Sequence, residues 1–362
     1  MLSIDVGPLV SLNRPLALRS HRRSIAWRKG MENIQLGISM STERQAPPRG
    51  AEGQLLRQLG LRKEEVRSRL AQASDAAYWK ALYPSFSVCD ESSAAPEVPP
   101  FGGPTLDKVK DDLTSRGYFL VEGAMADSIV GPMLGCVEAV RKAGWPPVFA
   151  YVYDQLWLVW RIAPVAQMLT AGLGTGYRWI PHGWCHYVHP VSGASGWPPH
   201  VDGNLSNRMS IWIPLTDATL DNGCIYVVPG NLNTAGIGER RALKAASNLQ
   251  MRELLQRGRA LPARTGSILA WNFRILHWGS VCHGAGAPRV SLVMEFIGAG
   301  ERALDNELPL YDPRDGLPSL PQRLHAIGRA ILQYKRFELR MRRYVELARG
   351  LMREHGKVLE GR

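Results

Sequence analysis

The chain contains no charge-free run of about eighteen apolar residues, so nothing in it reads as a membrane-spanning helix. Its nearest approach, residues 155–173, is interrupted by Arg161 and Pro164 and reads as a buried helix or a strand pair beside the core. Cysteine is sparse. Cys89, Cys136, Cys185, Cys224 and Cys282 are odd in number and far apart, which excludes a zinc knuckle or a close redox pair and fits a reducing cytoplasm. The first thirty residues lack a continuous apolar stretch ending in a small-residue cleavage site, so no secretory signal is expected. Their arginines faintly resemble an organelle transit peptide, and a disordered tail or a start upstream of Met31 accounts for them equally well. There is no internal repeat.

What is present suffices for a folded core: 362 residues, 45% hydrophobic and 21% charged. The net charge of +12 sits at the ends. Residues 1–50 carry 8 Lys/Arg against 3 Asp/Glu, and residues 318–362 carry 11 against 4. The remaining residues balance at 25 of each, so the central body does not share the basic bias that a polyanion-binding surface would show.

The hydrophobic pattern divides the chain. Residues 1–50 lack a sustained period and are expected to be a disordered basic tail; residues 51–104 form a helical preface over 54–82 and a Ser-, Pro- and Gly-rich linker over 92–104. Residues 105–317 make the main domain, opening with a helix over 106–116, a strand over 117–121 and a helix over 126–142. Short β-rich runs follow at 177–188, 208–215, 224–228, 267–271 and 289–297, a texture that predicts an antiparallel sandwich or barrel. Asn222-Gly223 between two runs predicts a tight hairpin. Residues 318–362 carry apolar side chains every third or fourth position, from Leu324 to Leu351, and predict a basic amphipathic helix, broken once, that caps the barrel or contacts a second copy.

The chemistry concentrates in Pro199-His200-Val201-Asp202. On an extended chain residues i and i+2 point to one side, so His200 and Asp202 can present an imidazole and a carboxylate to the same point. One further ligand would complete a two-histidine, one-carboxylate facial site, the arrangement of non-haem iron(II) oxygenases. Seventy-seven residues on, His277 lies in an apolar and aromatic run, where most histidines are ordinary core residues. In the 289–297 run, alternation sends Arg289 and Ser291 to one face and Val290, Leu292, Met294 and Phe296 to the other. An inward arginine is costly unless it meets an anion, and a guanidinium pairs well with a carboxylate.

With these segments in order, the chain resembles the phytanoyl-CoA dioxygenase superfamily of iron(II)/2-oxoglutarate-dependent oxygenases over roughly residues 113–297. The resemblance rests on Gly117-Tyr118-Phe119-Leu120-Val121-Glu122-Gly123, the 199–202 motif, residues 222–230 ending in Pro229-Gly230, and His277 followed by Arg289-Val290-Ser291. It implies a double-stranded β-helix (jelly-roll, cupin-like barrel) with flanking helices, iron(II) held by His200, Asp202 and His277, and Arg289, helped by Ser291, as anchor for the far carboxylate of 2-oxoglutarate. Trp212 would line the co-substrate pocket or simply fill the barrel, and His186 would contact co-substrate or substrate or pack as an ordinary histidine. With O2 as the other co-substrate, the family reaction releases succinate and CO2 and oxidises a C–H bond. A carboxylate at Asp202 favours hydroxylation, desaturation or ring formation over halogenation, and hydroxylation is the default expectation. Where many relatives follow Pro-Gly with Ser-His, this chain has Asn231-Leu232, so the loop through Arg264 is expected to be shaped for its own substrate.

The expected partner is a small-molecule or carrier-bound substrate, with no membrane span, no nucleic acid, and a homo-oligomer conceivable through the C-terminal helix. Two rivals stay open: a non-catalytic module holding a polyanion through its basic ends, and a nucleic-acid demethylase on the same fold. His182, His189 and His283, and the aromatics Tyr151, Tyr153, Trp157 and Trp160, read better as packed or solvated side chains than as ligands or a substrate wall.

Overall fold

Two antiparallel sheets, one of five strands in the order 118–121, 268–272, 208–214, 289–297 and 178–188 and one of three in the order 259–261, 225–228 and 276–279, carry the molecule, with helices packed around them. This computed structural model describes residues 60–205, 207–233, 246–284 and 286–360, so the tail expected over 1–50 lies outside the described residues. In chain order the elements are α1 (Lys63–Ser74), α2 (Ala76–Leu82), α3 (Gly103–Arg116), β1 (Tyr118–Val121), α4 (Asp127–Lys142), α5 (Gln155–Leu158), α6 (Ala163–Leu173), β2 (Arg178–Val188), β3 (Arg208–Pro214), β4 (Ile225–Val228), α7 (Asn248–Gln256), β5 (Arg259–Leu261), β6 (Ile268–Asn272), β7 (Leu276–Gly279), β8 (Arg289–Ile297), α8 (Leu320–Tyr334) and α9 (Val345–Glu360).

The period-two runs fold as their alternation requires. On β8, Val290, Leu292, Met294 and Phe296 pack into the main core, and Arg289 and Ser291 occupy the opposite face. The segment 155–173 resolves as helices, with Leu156, Trp160 and Leu169 fully buried. Among the described residues no single helix is long and apolar enough to cross a membrane; the pair Gln155–Arg161 and Ala163–Leu173, bent by 57°, meets that length and composition only jointly. Tyr151, Tyr153, Trp157 and Trp160 are core: the Tyr151 hydroxyl donates to the Val293 carbonyl (2.9 Å) and Trp157 Nε1 to the Tyr151 carbonyl (2.6 Å). In α8 the stripe Leu324, Ile327, Ile331 and Tyr334 is buried against β2 and α9 of the same chain, which makes capping the use of that face. Each such side chain contributes about 1.5–3 kcal/mol by burial.

The hairpin expected at Asn222-Gly223 is absent. β3 pairs with β6 and β8 while β4 pairs with β5 and β7, so the segment between them crosses from one sheet to the other. Asn222 is there to satisfy backbone: Oδ1 accepts from Thr219 N (2.7 Å) and Nδ2 donates to the Asp217 carbonyl (2.8 Å). Gly223, at φ 94°, is needed because a Cβ would stand 2.6 Å from the Ser280 carbonyl oxygen. Helix α3 starts within what reads as linker, with Pro104 in its first turn. β5 and β7, of three and four residues, are too short for a periodic signal.

The helical layer is locked to α8 by one buried ion pair. Arg323 Nη2 lies 2.6 Å from Asp154 Oδ1, both side chains fully buried, and Arg323 also donates to the carbonyls of Pro318 (2.7 Å) and Val152 (2.8 Å). Cys89, at φ 53°, turns successive N–H groups of Cys89 (2.9 Å) and Asp90 (3.0 Å) onto the same carboxylate. Burial alone would raise the Asp154 pKa; the guanidinium and the loop donors outweigh it and hold the carboxyl below its ordinary value. Asp154→Asn is expected to cost about 3–5 kcal/mol in urea unfolding, because it leaves a buried guanidinium without its charge. Since the folded pKa is depressed, the pair's contribution is complete above an unfolded-state pKa of about 3.9 and is lost as pH falls through the folded value. A wild-type advantage over the variant that shrinks between pH 8 and 6 would contradict this assignment.

Candidate metal centre

His200 lies on the irregular segment between β2 and β3, and backbone pairing delivers it to β7. The His200 N–H donates to the His277 carbonyl and the His277 N–H to that of His200, both at 3.0 Å. The two imidazole centroids stand 4.2 Å apart. Asp202, two residues on, turns back to them, with Oδ1 3.6 Å from His200 Nε2 and 3.7 Å from His277 Nε2. One donor atom from each of the three lies within 4.8 Å of the others, so together they could hold a metal ion.

The surroundings fix which atoms face inward. His200 Nδ1 is 2.7 Å from the Pro198 carbonyl and His277 Nδ1 is 3.0 Å from that of Ile275. A carbonyl can only accept, so Nδ1 carries the proton in both rings and Nε2 presents its lone pair, the arrangement that orients metal-ligating histidines. Asp202 Oδ2 accepts from Ser210 Oγ (2.7 Å) and Trp271 Nε1 (2.8 Å), which points Oδ1 at the imidazoles. Burial, then the neighbouring His277, pushes His200 down to about 3, so it is neutral at ordinary pH. Burial would raise Asp202, but the two imidazoles and the Ser210 and Trp271 donors hold it below its usual value. A carboxylate and a neutral imidazole, the states of Asp202 and His200, are what a divalent cation requires of its ligands.

Beside the triad lies a second group of polar atoms. Arg289 and Ser291 on β8 are 1% and 0% exposed, and β2 pairs alongside with His186 opposite Ser291. Trp212 on β3 has its ring 5.9 Å from the Arg289 guanidinium carbon. Arg289 Nε and Nη1, Ser291 Oγ, Trp212 Nε1 and His200 Nε2 are buried and have no hydrogen-bond partner among the described residues. Burial lowers the Arg289 pKa to about 10, still cationic near neutrality. Gly196 lets the backbone close over this guanidinium, since a Cβ there would sit 2.7 Å from both Nη2 and the Gly279 Cα. A buried cation with unused donors beside an unused serine hydroxyl is suited to a carboxylate. The donor set thus fits a divalent metal ion with a dicarboxylate next to it.

All seven residues singled out from the sequence line one cavity of about 40 Å³ or border it: His186, His200, Asp202, Trp212, His277 and Arg289 line it, and Ser291 shares the face of β8 that carries Arg289. Burial lowers the His186 pKa, partly offset by Glu338, whose Oε1 is 3.6 Å from its Nδ1. His182 does not reach the triad and instead contacts Glu295 (3.2 Å) and the Asn306 carbonyl (3.1 Å). His189 packs on Tyr187, and His283 is exposed.

Several contributors escaped the sequence reading. Ser210 shares a strand face with Trp212, so β3's alternation carried a signal for it. Trp271 had none beyond its place in a strand. The larger omission is the C-terminal segment: Tyr334 lines the cavity, Phe337 stacks on Trp197 at 4.9 Å, and Glu338 Oε1 accepts from Trp184 Nε1 (2.8 Å) and Trp197 Nε1 (3.2 Å).

Residues 115–290 match the family model for phytanoyl-CoA dioxygenase (PhyH). No curated protein matches the sequence. Among solved structures the chain is similar to the non-haem alpha-ketoglutarate-dependent carbocyclase SnoK from nogalamycin biosynthesis, at 17% identity and TM-score 0.45 over 56% of this chain and 87% of that one. It is likewise similar to EctD from S. alaskensis with 2-oxoglutarate and 5-hydroxyectoine, at 14% identity and TM-score 0.44 over 66% and 96%. The non-haem monooxygenase ThoJ in its nickel complex stands at 13% and 0.45 over 64% and 99%. The segment that matches the phytanoyl-CoA dioxygenase (PhyH) family model, residues 115–290, holds both histidines, Asp202 and Arg289, so the part of the chain that is similar to that family is the part that carries the candidate metal centre.

Proposed function

We propose that His200, Asp202 and His277 hold iron(II), that Arg289 and Ser291 hold the far carboxylate of 2-oxoglutarate, and that the enzyme hydroxylates an aliphatic C–H bond of a small-molecule or carrier-bound substrate. The observation that carries this reading is the triad's convergence within 4.8 Å beside a buried, unneutralised Arg289. When bound, iron(II) with 2-oxoglutarate supplies O2 activation coupled to release of succinate and CO2. The chain's own residues do the rest. His200 and His277 orient their Nε2 atoms, Ser210 and Trp271 fix the Asp202 carboxylate, and Arg289 sets the register of the co-substrate. Trp212 and His186 narrow its pocket, and Trp197, Phe337 and Tyr334 cover the metal side and exclude water. On this reading the two sheets are the two faces of a double-stranded β-helix, and five free cysteines suit a cytoplasmic enzyme. An intact triad supports catalysis over a passive polyanion-binding module.

With iron(II), ascorbate and 2-oxoglutarate, the wild type should form succinate, and His200→Ala and Asp202→Ala should abolish it while keeping the wild-type circular dichroism. Succinate formation undiminished in either variant would remove the triad from the mechanism. Arg289→Gln should raise the KM for 2-oxoglutarate by roughly 10–100-fold, the worth of a charged hydrogen-bonded contact, with iron affinity near wild type. An unchanged KM would move the anchor elsewhere. Trp271→Phe frees Asp202 Oδ2 from one donor and should weaken iron(II) binding by about tenfold in a chelator competition; wild-type affinity would show that the indole does not position the ligand.

A further inference from the structure

Asp202 and Glu295, which line the cavity around the triad, also line a second, open cleft of about 760 Å³. One wall is the chain after Asp202, with Leu205, and Phe273. The other is the last turns of α8 and the residues after it, Arg329, Leu332, Gln333, Lys335 and Arg336, which lie outside the segment matched by the family model.

The charges of the two walls are matched unequally. Glu307 is engaged by Arg208, and Glu295 accepts from the Tyr334 hydroxyl (2.9 Å) and contacts His182. Arg329 has no such partner: Nη1 donates to the Asn306 carbonyl (3.2 Å), Nη2 is 3.5 Å from His325 Nδ1, and no carboxylate among the described residues lies within ion-pairing distance. Lys335, partly buried one helical turn and a half further on, makes no ion pair among the described residues either. Burial lowers the Arg329 pKa, with only Tyr311 opposing it. A half-buried guanidinium and an ammonium thus share a cleft that Asp202 also lines, and Leu205, Phe273 and Leu332 give that cleft apolar surface among its polar side chains.

We infer that this cleft receives the substrate, that the substrate carries a carboxylate or phosphate group, and that Arg329 and Lys335 bind that group while the apolar lining directs the attached chain toward the triad. The inference rests on the metal-site reading above for the identity of the reacting end. The anion gains charge-assisted hydrogen bonds in a partly desolvated groove, where they are stronger than at an open surface. Holding one end of the substrate on a helix wall also fixes which carbon reaches the iron.

The test is calorimetric titration of the full-length protein with n-octanoate, n-octyl phosphate and n-octanol, run with and without anaerobic iron(II) and 2-oxoglutarate. At least one of the two anions should bind roughly tenfold more tightly than the alcohol, and the tighter one names the group. The double variant Arg329→Gln, Lys335→Gln should level the three ligands while 2-oxoglutarate affinity stays as in the wild type, and Arg329→Lys should keep the preference, separating charge from packing. An alcohol that binds as tightly as both anions, or a double variant that keeps the preference, overturns the inference. Wild-type protein that prefers the anions yet has no affinity for 2-oxoglutarate overturns the metal reading and leaves the anion cleft standing.

Discussion

Two backbone hydrogen bonds, exchanged between His200 and His277 at 3.0 Å each, bring together residues seventy-seven apart in sequence. The pairing sets the imidazoles side by side, and Asp202 follows two residues later because an extended chain returns to the same side at that interval. The rings are therefore placed by the protein's own ladder. A short strand such as β7 would be marginal alone. It is held by β4 on one side and by packing of Leu276 with Val201, Val228 and Leu254. Preorganisation of this kind means that little side-chain order remains to be imposed when a ligand binds.

The interior holds several ionised groups, and their degrees of satisfaction differ in a telling way. Asp154 with Arg323 and Arg208 with Glu307 are ion pairs in which each cation faces a carboxylate and also donates to backbone carbonyls. They anchor helices and loops. Around the triad no carboxylate among the described residues faces the cation: unpartnered donors on Arg289 and Trp212 line one small cavity with His200 Nε2, and the Ser291 hydroxyl lies on the same strand as Arg289. Buried polar atoms without partners are costly, so a buried guanidinium without a carboxylate, beside a set of converging metal-ligating atoms, points to a bound group that offsets the cost.

Much of this was readable from the sequence where a signal is local. Alternation located β2, β3, β4, β6 and β8 to within a residue or so, because each has one face in the core and one elsewhere. The spacing of His200 and Asp202 and the inward face of Arg289 and Ser291 were legible for the same reason. The Asn222-Gly223 turn misled because the residue pair reports a local bend, while which strands the bend joins is decided by the two sheets. β5 and β7, of three and four residues, carried no run long enough to be separated from the loops around them. Trp271 and Glu338 act through contacts across 69 and 141 or more positions, which no window along the chain contains.

The C-terminal segment is where local pattern and tertiary role part most widely. Its 3.6-residue stripe forecasts a packed face, and α8 is packed; its end nonetheless delivers Tyr334, Phe337 and Glu338 to the metal side. The helix is pinned near its start by Arg323 on Asp154 and at its end by the Tyr334 hydroxyl on Glu295. A wall fixed at both ends holds Arg329 at a set place relative to Asp202, which a mobile loop would not. The basic excess of this segment then has a division of labour: some residues solvate the outer face of the helices, and Arg329 and Lys335 turn toward the cleft. A uniform polyanion-binding surface would instead leave its cations exposed and far from the triad, and in this fold two of them share a cleft with a metal-ligand candidate.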